Sequence, residues 1–220
     1  MSFQATRMLT PGPTPIPDRV RLAMAAPIPH HRKDAFKQIM AENQTMLKRL
    51  FCTEGPVIPL ACSGTGAMTA SAFNLFESGE KVLVATAGNF GNRWIDIVKM
   101  RGLDPVVLRW EAGQAIEPAA VREILDADPT IRGVFMQISE TSTGVLHPVR
   151  EVASITRERD VLLVADGISA VSISPVLMDE WGIDCLLTGS QKGLMLPPGM
   201  AFVALSPRGW ARAEQNHNDC

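Results

Sequence analysis

Four groups of residues in this 220-residue sequence have types and settings that could do chemistry. Lys192 stands in the turn G-S-Q-K-G at 189–193, ahead of an apolar, proline-stiffened stretch. A lysine partly withdrawn from water loses basicity and becomes a usable amine nucleophile. Taken alone, the same residue reads as a solvated loop lysine. Asp166 ends the apolar run V-L-L-V-A at 161–165. A carboxylate there needs a cation, a metal or several N–H donors, or it caps a helix. The segment S-G-T-G at 63–66 combines two glycines that turn tightly with two hydroxyls and a following helix start. Together these make an anion site, most naturally for a phosphate, although a glycine turn with a serine N-cap fits the same residues. Phe90, between Gly88 and Gly91, reads as a loop aromatic that stacks on a planar ligand or folds back onto the domain. A fifth segment, E-T-S-T-G at 140–144, holds more hydroxyls than one helix cap needs.

The elements that must position these groups follow from hydrophobic patterning. Apolar runs at 57–60, 81–85, 105–109, 134–138, 161–165, 183–187 and 201–205 read as strands. Amphipathic segments at 66–76, 92–100, 117–127 and 148–159 read as helices between them, the last with Pro148 at its first position. Strand–helix alternation with short connections, and strands apolar on both faces, predict a three-layer α/β domain, a mostly parallel sheet wound with helices. Ahead of it, residues 1–32 form an arm in which prolines bracket a short helix at 18–26, and a helix over 33–51 opens the domain proper, 33–220. Proline-rich backbone that cannot join a central sheet lies over a surface. In an open α/β sheet, ligands bind beyond the carboxyl ends of the strands. Every group singled out above falls at such an end.

Composition narrows the class of function. Hydrophobic residues make up 46% and charged residues 20%, and 21 Lys+Arg against 23 Asp+Glu give a net charge of −2. That balance offers nothing to nucleic acid or an anionic membrane. There is no apolar run of bilayer length and no signal-peptide core, so a cytoplasmic protein is expected. Cys52, Cys62, Cys185 and Cys220 are scattered without a Cys-x-x-Cys pair, which argues against a disulfide framework and makes Cys62 and Cys185 core residues. His30, His31, His147 and His217 lack ligand spacing, so no metal site is expected. One small molecule would use an anion cradle, a stacking aromatic, a buried carboxylate and a lysine amine at once: pyridoxal 5′-phosphate (PLP).

Read in order, P-G-P at 11–13, S-G-T-G at 63–66, G-N-F-G-N-R at 88–93, E-T-S-T-G at 140–144, A-D-G at 165–167 and G-S-Q-K at 189–192 resemble the class V aminotransferases. These belong to PLP-dependent fold type I, and the likeness is greatest to the alanine–glyoxylate and serine–pyruvate group. The resemblance implies that Lys192 is the Schiff-base lysine and proton-transfer base, and that Asp166 pairs with the pyridinium nitrogen. It implies Phe90 on one face of the ring and Ile168 on the other, with Thr141 near the ring hydroxyl. Thr65, Gly66 and Ala67 would cradle the phosphate, helped by Gln191. Ala67 stands where relatives carry a histidine. The activity implied is transfer of an amino group from alanine or serine to glyoxylate or pyruvate, in a homodimer. Two alternatives stand beside it. One is a PLP lyase or desulfurase on the same fold. The other is a truncated, non-catalytic PLP-binding or interaction subunit. Only residues 206–220 follow the last strand, which leaves no counterpart for the family's C-terminal small domain and its substrate-carboxylate arginine. Arg7, Arg32 and Arg93 are not promoted to that role.

Overall fold

The computed structural model describes residues 8–216; Arg7, His217 and Cys220 lie outside the described residues. The arm carries α1 (Asp18–Met24), and α2 (Asp34–Phe51) follows. Then β1 (Val57–Leu60), α3 (Gly64–Leu75), β2 (Lys81–Thr86), α4 (Asn89–Met100), β3 (Asp104–Arg109), α5 (Pro118–Ala127) and β4 (Ile131–Gln137) alternate. A small hairpin, β5 (Ser139–Glu140) and β6 (Val145–Leu146), precedes α6 (Val149–Arg157) and β7 (Leu162–Asp166). The chain continues through α7 (Met178–Trp181), β8 (Cys185–Gly189), β9 (Ala201–Leu205) and α8 (Pro207–Gln215). No helix of the described residues is long and apolar enough to cross a membrane.

Seven strands form one sheet in the order β1-β9-β8-β7-β4-β2-β3. β8, β7, β4, β2 and β3 run parallel, while β9 is antiparallel to both its neighbours. Parallel strands need a long, usually helical crossover. No helix lies between β8 and β9, so the chain turns back beside the strand it has just left. Because β9 is antiparallel to both β8 and β1, β1 points the same way as the parallel set. The carboxyl ends of β1, β2, β4, β7 and β8 therefore share one edge.

Each face of the sheet has its own core. Leu83, Val134, Met136, Leu163 and Leu186 pack with Val121, Leu125 and Val152 from α5 and α6. The alternate residues Val82, Val84, Phe135, Val164 and Leu187 pack with Met68, Leu75, Trp94 and Val98 from α3 and α4. This alternation is the pleat expressed in burial. Phe135 anchors the second layer, 4.9 Å from the ring of Trp94 and 5.1 Å from that of Phe76. Cys185 lies in this layer, its thiol pushed up to about 12 by burial, and Cys62 packs half-buried against it.

Several local expectations change: α3 begins at Gly64 rather than at 66, and β8 runs over Cys185–Gly189 rather than 183–187. Phe90 sits in the first turn of α4, which begins at Asn89 rather than at 92. The hydroxyl-rich segment after β4 is a hairpin and not a plain loop. Pro148 is the residue before α6 rather than its first position, since a φ of −77° and ψ of 63° keep it outside the helix.

Candidate active site

A cavity of about 380 Å³ opens at the shared carboxyl edge of the sheet, lined by residues that include Thr65, Phe90, Thr141, Asp166, Ile168, Gln191 and Lys192. Its size suits a small ligand. Of the candidates from sequence, Gly66 and Ala67 do not line it.

The reason lies in how α3 starts. Ser63 is the N-cap, its Oγ accepting from the Gly66 N–H at 3.2 Å, while its carbonyl accepts from the Ala67 N–H at 3.1 Å. Two of the three donors of the expected cradle, those of Gly66 and Ala67, are thus occupied, and the Ala67 side chain is fully buried in the core. The first N–H groups of a helix have no partner within it, which leaves those of Gly64 and Thr65 as the open donors at the positive end of the helix dipole. Arg93 strengthens this corner. Its Nη1 donates to Thr65 Oγ1 at 2.7 Å, and its guanidinium carbon lies 4.9 Å from the Phe90 ring centroid. The motif containing Arg93 was legible; its reach across to α3 was not.

Asp166 ends β7 almost completely buried. Oδ1 accepts from the Ile168 N–H at 2.8 Å and Oδ2 from Gln137 Nε2 at 3.3 Å. Burial pushes its carboxyl up to about 6, reinforced by the charge of Glu140 and opposed by those two hydrogen bonds and by Arg93. Ile168 itself fills the space over Gly64, where a Cβ would stand 2.4 Å from its Cδ1. Thr141, on the hairpin turn, shares a 2.5 Å hydrogen bond with Ser169.

Lys192 is 8% exposed and lines the same cavity. Burial lowers its amine below the ordinary lysine range, with Asp166 opposing. The turn that carries it is packed so closely on the segment after β7 that a Cβ at Gly193 would lie 2.6 Å from the Val171 carbonyl oxygen. Only glycine fits that approach. The amine makes no hydrogen bond among the described residues.

Glu140, unremarked as a site residue in sequence, organises this region. It is fully buried, and its carboxylate accepts from the N–H groups of Phe90 at 3.1 Å, Gly91 at 2.9 Å and Ser142 at 3.0 Å, and from Ser142 Oγ at 2.6 Å. Burial alone would raise its pKa, yet those donors prevail and hold it below the usual carboxylate range. The clamp fixes the start of α4, and with it Phe90, to the hairpin. An acid among hydroxyls at a strand end was the only signal for it in the sequence.

The sequence model of the Aminotransferase class-V family matches residues 22–214. The chain belongs to the class V aminotransferases. It is 37% identical over 212 residues to the serine–glyoxylate aminotransferase of Methylorubrum extorquens, covering 94% of this chain and 53% of that protein. It is 36% identical over 212 residues to the L-aspartate–glyoxylate aminotransferase of Paracoccus denitrificans, covering 93% and 53% respectively. The crystal structure of alanine–glyoxylate aminotransferase from Nostoc sp. superposes with a TM-score of 0.94 at 30% identity, covering 99% of this chain and 58% of that one. This class V aminotransferase chain therefore spans about half the length of the curated relatives it matches, and its fold is that of the PLP-dependent fold type I enzymes.

Proposed function

We propose that the chain is the cofactor-binding part of a PLP-dependent aminotransferase that moves an amino group from a small amino acid, alanine or serine, to glyoxylate or pyruvate. The observation that carries this reading is one cavity holding a free lysine amine, a buried carboxyl and an aromatic ring beside an open helix start. The three relatives described above differ in their named amino donors and share glyoxylate in their names, which favours glyoxylate as acceptor.

The residues present fit PLP. Asp166 is a carboxyl buried with two neutral donors and held near neutrality, which is the setting that welcomes a protonated ring nitrogen. The Gly64 and Thr65 N–H groups, with Arg93 beside them, form a corner suited to a dianionic phosphate. When bound, the cofactor supplies an aldehyde that captures amines and a ring that accepts electron density from the substrate Cα.

The chain's own residues do the rest. Lys192 would hold the cofactor through its amine, whose lowered pKa suits it to take and return a proton. Asp166 would hold a proton on the ring nitrogen. Phe90 and Ile168 would flank the ring and exclude water, Thr141 would lie near the ring hydroxyl, and Gln191 would assist at the phosphate. In this reading the working protein is a cytoplasmic homodimer, and sizing of the native protein measures the dimer.

The decisive experiment adds PLP, reduces with borohydride and maps the adduct by peptide mass. The expected result is one phosphopyridoxyl group on Lys192 that is absent from Lys192→Ala. An adduct on another lysine, or one surviving in the variant, overturns the assignment. Turnover of serine or alanine with glyoxylate by the native protein then tests the substrates.

A further inference from the structure

Prolines at 11, 13, 15 and 17 leave Gly12, Thr14 and Ile16 as the only residues of that stretch with a backbone N–H. Thr14 uses both its donors on the lysine turn. Its N–H donates to the Gln191 carbonyl at 2.9 Å, and its Oγ1 donates to the Lys192 carbonyl at 2.9 Å. The Lys192 carbonyl also accepts from the Met195 N–H at 2.9 Å, so both its lone pairs are filled and the lysine backbone is held from two sides. Gly12 meanwhile lies against the lysine side chain. A Cβ there would stand 2.5 Å from Lys192 Cδ, 2.9 Å from Cε and 3.0 Å from Nζ. Gly12 and Pro13 line the same cavity as Lys192. The flanking prolines stiffen the segment, so docking it orders little that was free beforehand.

We propose that Gly12–Thr14 is a strap that positions Lys192: Thr14 pins the backbone of the lysine turn while Gly12, lacking a side chain, forms the wall along which the lysine extends into the cavity. The proposal rests on the reading of Lys192 as the reacting amine. In it Thr14 is a positioning residue and Gly12 a steric one, and neither contributes a group to the chemistry. Misplacing a reacting group by a fraction of an ångström slows its reaction while leaving the ligand's other contacts intact.

The test separates those two effects with two probes on the native protein freed of cofactor. Deoxypyridoxine 5′-phosphate lacks the aldehyde and reports the cradle alone. PLP followed by timed borohydride trapping reports how fast Lys192 reacts. Thr14→Val keeps the shape and removes the hydroxyl; it is expected to slow trapping about tenfold, the scale of one lost hydrogen bond, with analogue affinity within about twofold. Thr14→Ser is expected to restore the parent rate. Gly12→Ala is expected to slow trapping further. An unchanged trapping rate in Thr14→Val overturns the strap, as does a loss of analogue binding in step with trapping, which would make Thr14 a general support of the fold. Should Gly12→Ala fail to fold, the Thr14 pair decides alone. If the parent gives no Lys192 adduct at all, the proposed function fails rather than the strap.

Discussion

At the scale of single residues, Asp166 couples the site to pH. Its carboxyl is raised from 3.8 to about 6 in the folded chain, so the folded state binds a proton more tightly than the unfolded state. Stability from this group is fully present below pH 3.8, falls as pH rises through 6, and is lost above it. In the cofactor-free protein, Asp166→Asn is expected to remove this dependence and to gain up to about 3 kcal/mol at about pH 7.5 relative to the parent. Urea unfolding at about pH 4.5 and about pH 7.5 measures it, on either side of the folded-state value; an equal pH slope in both proteins contradicts the assignment. The same variant is expected to bind PLP more weakly, because an amide cannot balance a protonated ring nitrogen. Much of this was legible in the sequence, since a carboxylate that ends a strand apolar on both faces is buried and must find donors or take up a proton. The occupied donors of Gly66 and Ala67 were not legible. That of Gly66 depends on which rotamer Ser63 adopts, and that of Ala67 on where the helix begins, since it bonds the Ser63 backbone carbonyl; S-G-T-G is compatible with either outcome.

At the scale of elements, the strands and helices that alternate strongly in hydrophobicity were readable to within a few residues, and Val57–Leu60 and Ala201–Leu205 without error. Three features were not. The sequence shows no crossover helix between 190 and 200, but pattern alone does not reveal which strands β9 pairs with, and its direction depends on that. Helix α8 carries few apolar residues; it is held by Arg212, which donates to the Leu75 carbonyl at 3.0 Å and pairs with Glu80. The hairpin is a third case, where a buried acid stabilises a short element that propensity would not predict. Glu140→Ala leaves the Phe90 and Gly91 N–H groups without their acceptor, and is expected to cost about 3 kcal/mol in urea unfolding. Glu140→Gln retains one acceptor oxygen and is expected to cost less. A variant as stable as the parent shows that the clamp contributes nothing.

At the scale of the whole molecule, the site draws on loops from five strands and the arm, so a ligand that bridges them stabilises everything at once. Free PLP at about a hundred times its dissociation constant is expected to add about 3 kcal/mol. For a chain of this length that raises the melting temperature by roughly 5–10 °C. Differential scanning fluorimetry reads the shift, which is expected to shrink in Lys192→Ala and in Asp166→Asn. No shift in the parent contradicts the proposed cofactor.

The direction of β9 has a consequence in time as well as in space. Among the described residues β1 pairs with β9 alone, with Val57 opposite Ala204. During synthesis the Ser63 turn leaves the ribosome on the order of ten seconds before the strand that will hold it in place. Until then it is tethered to a strand with no partner in the sheet, held by Gln44 of α2 at Val57, while β2, β3 and β4 can already pair. A corner of the site that is translated early is thus among the last to become fixed. A nascent chain of this family would acquire its ligand affinity abruptly, when β9 slides between β1 and β8.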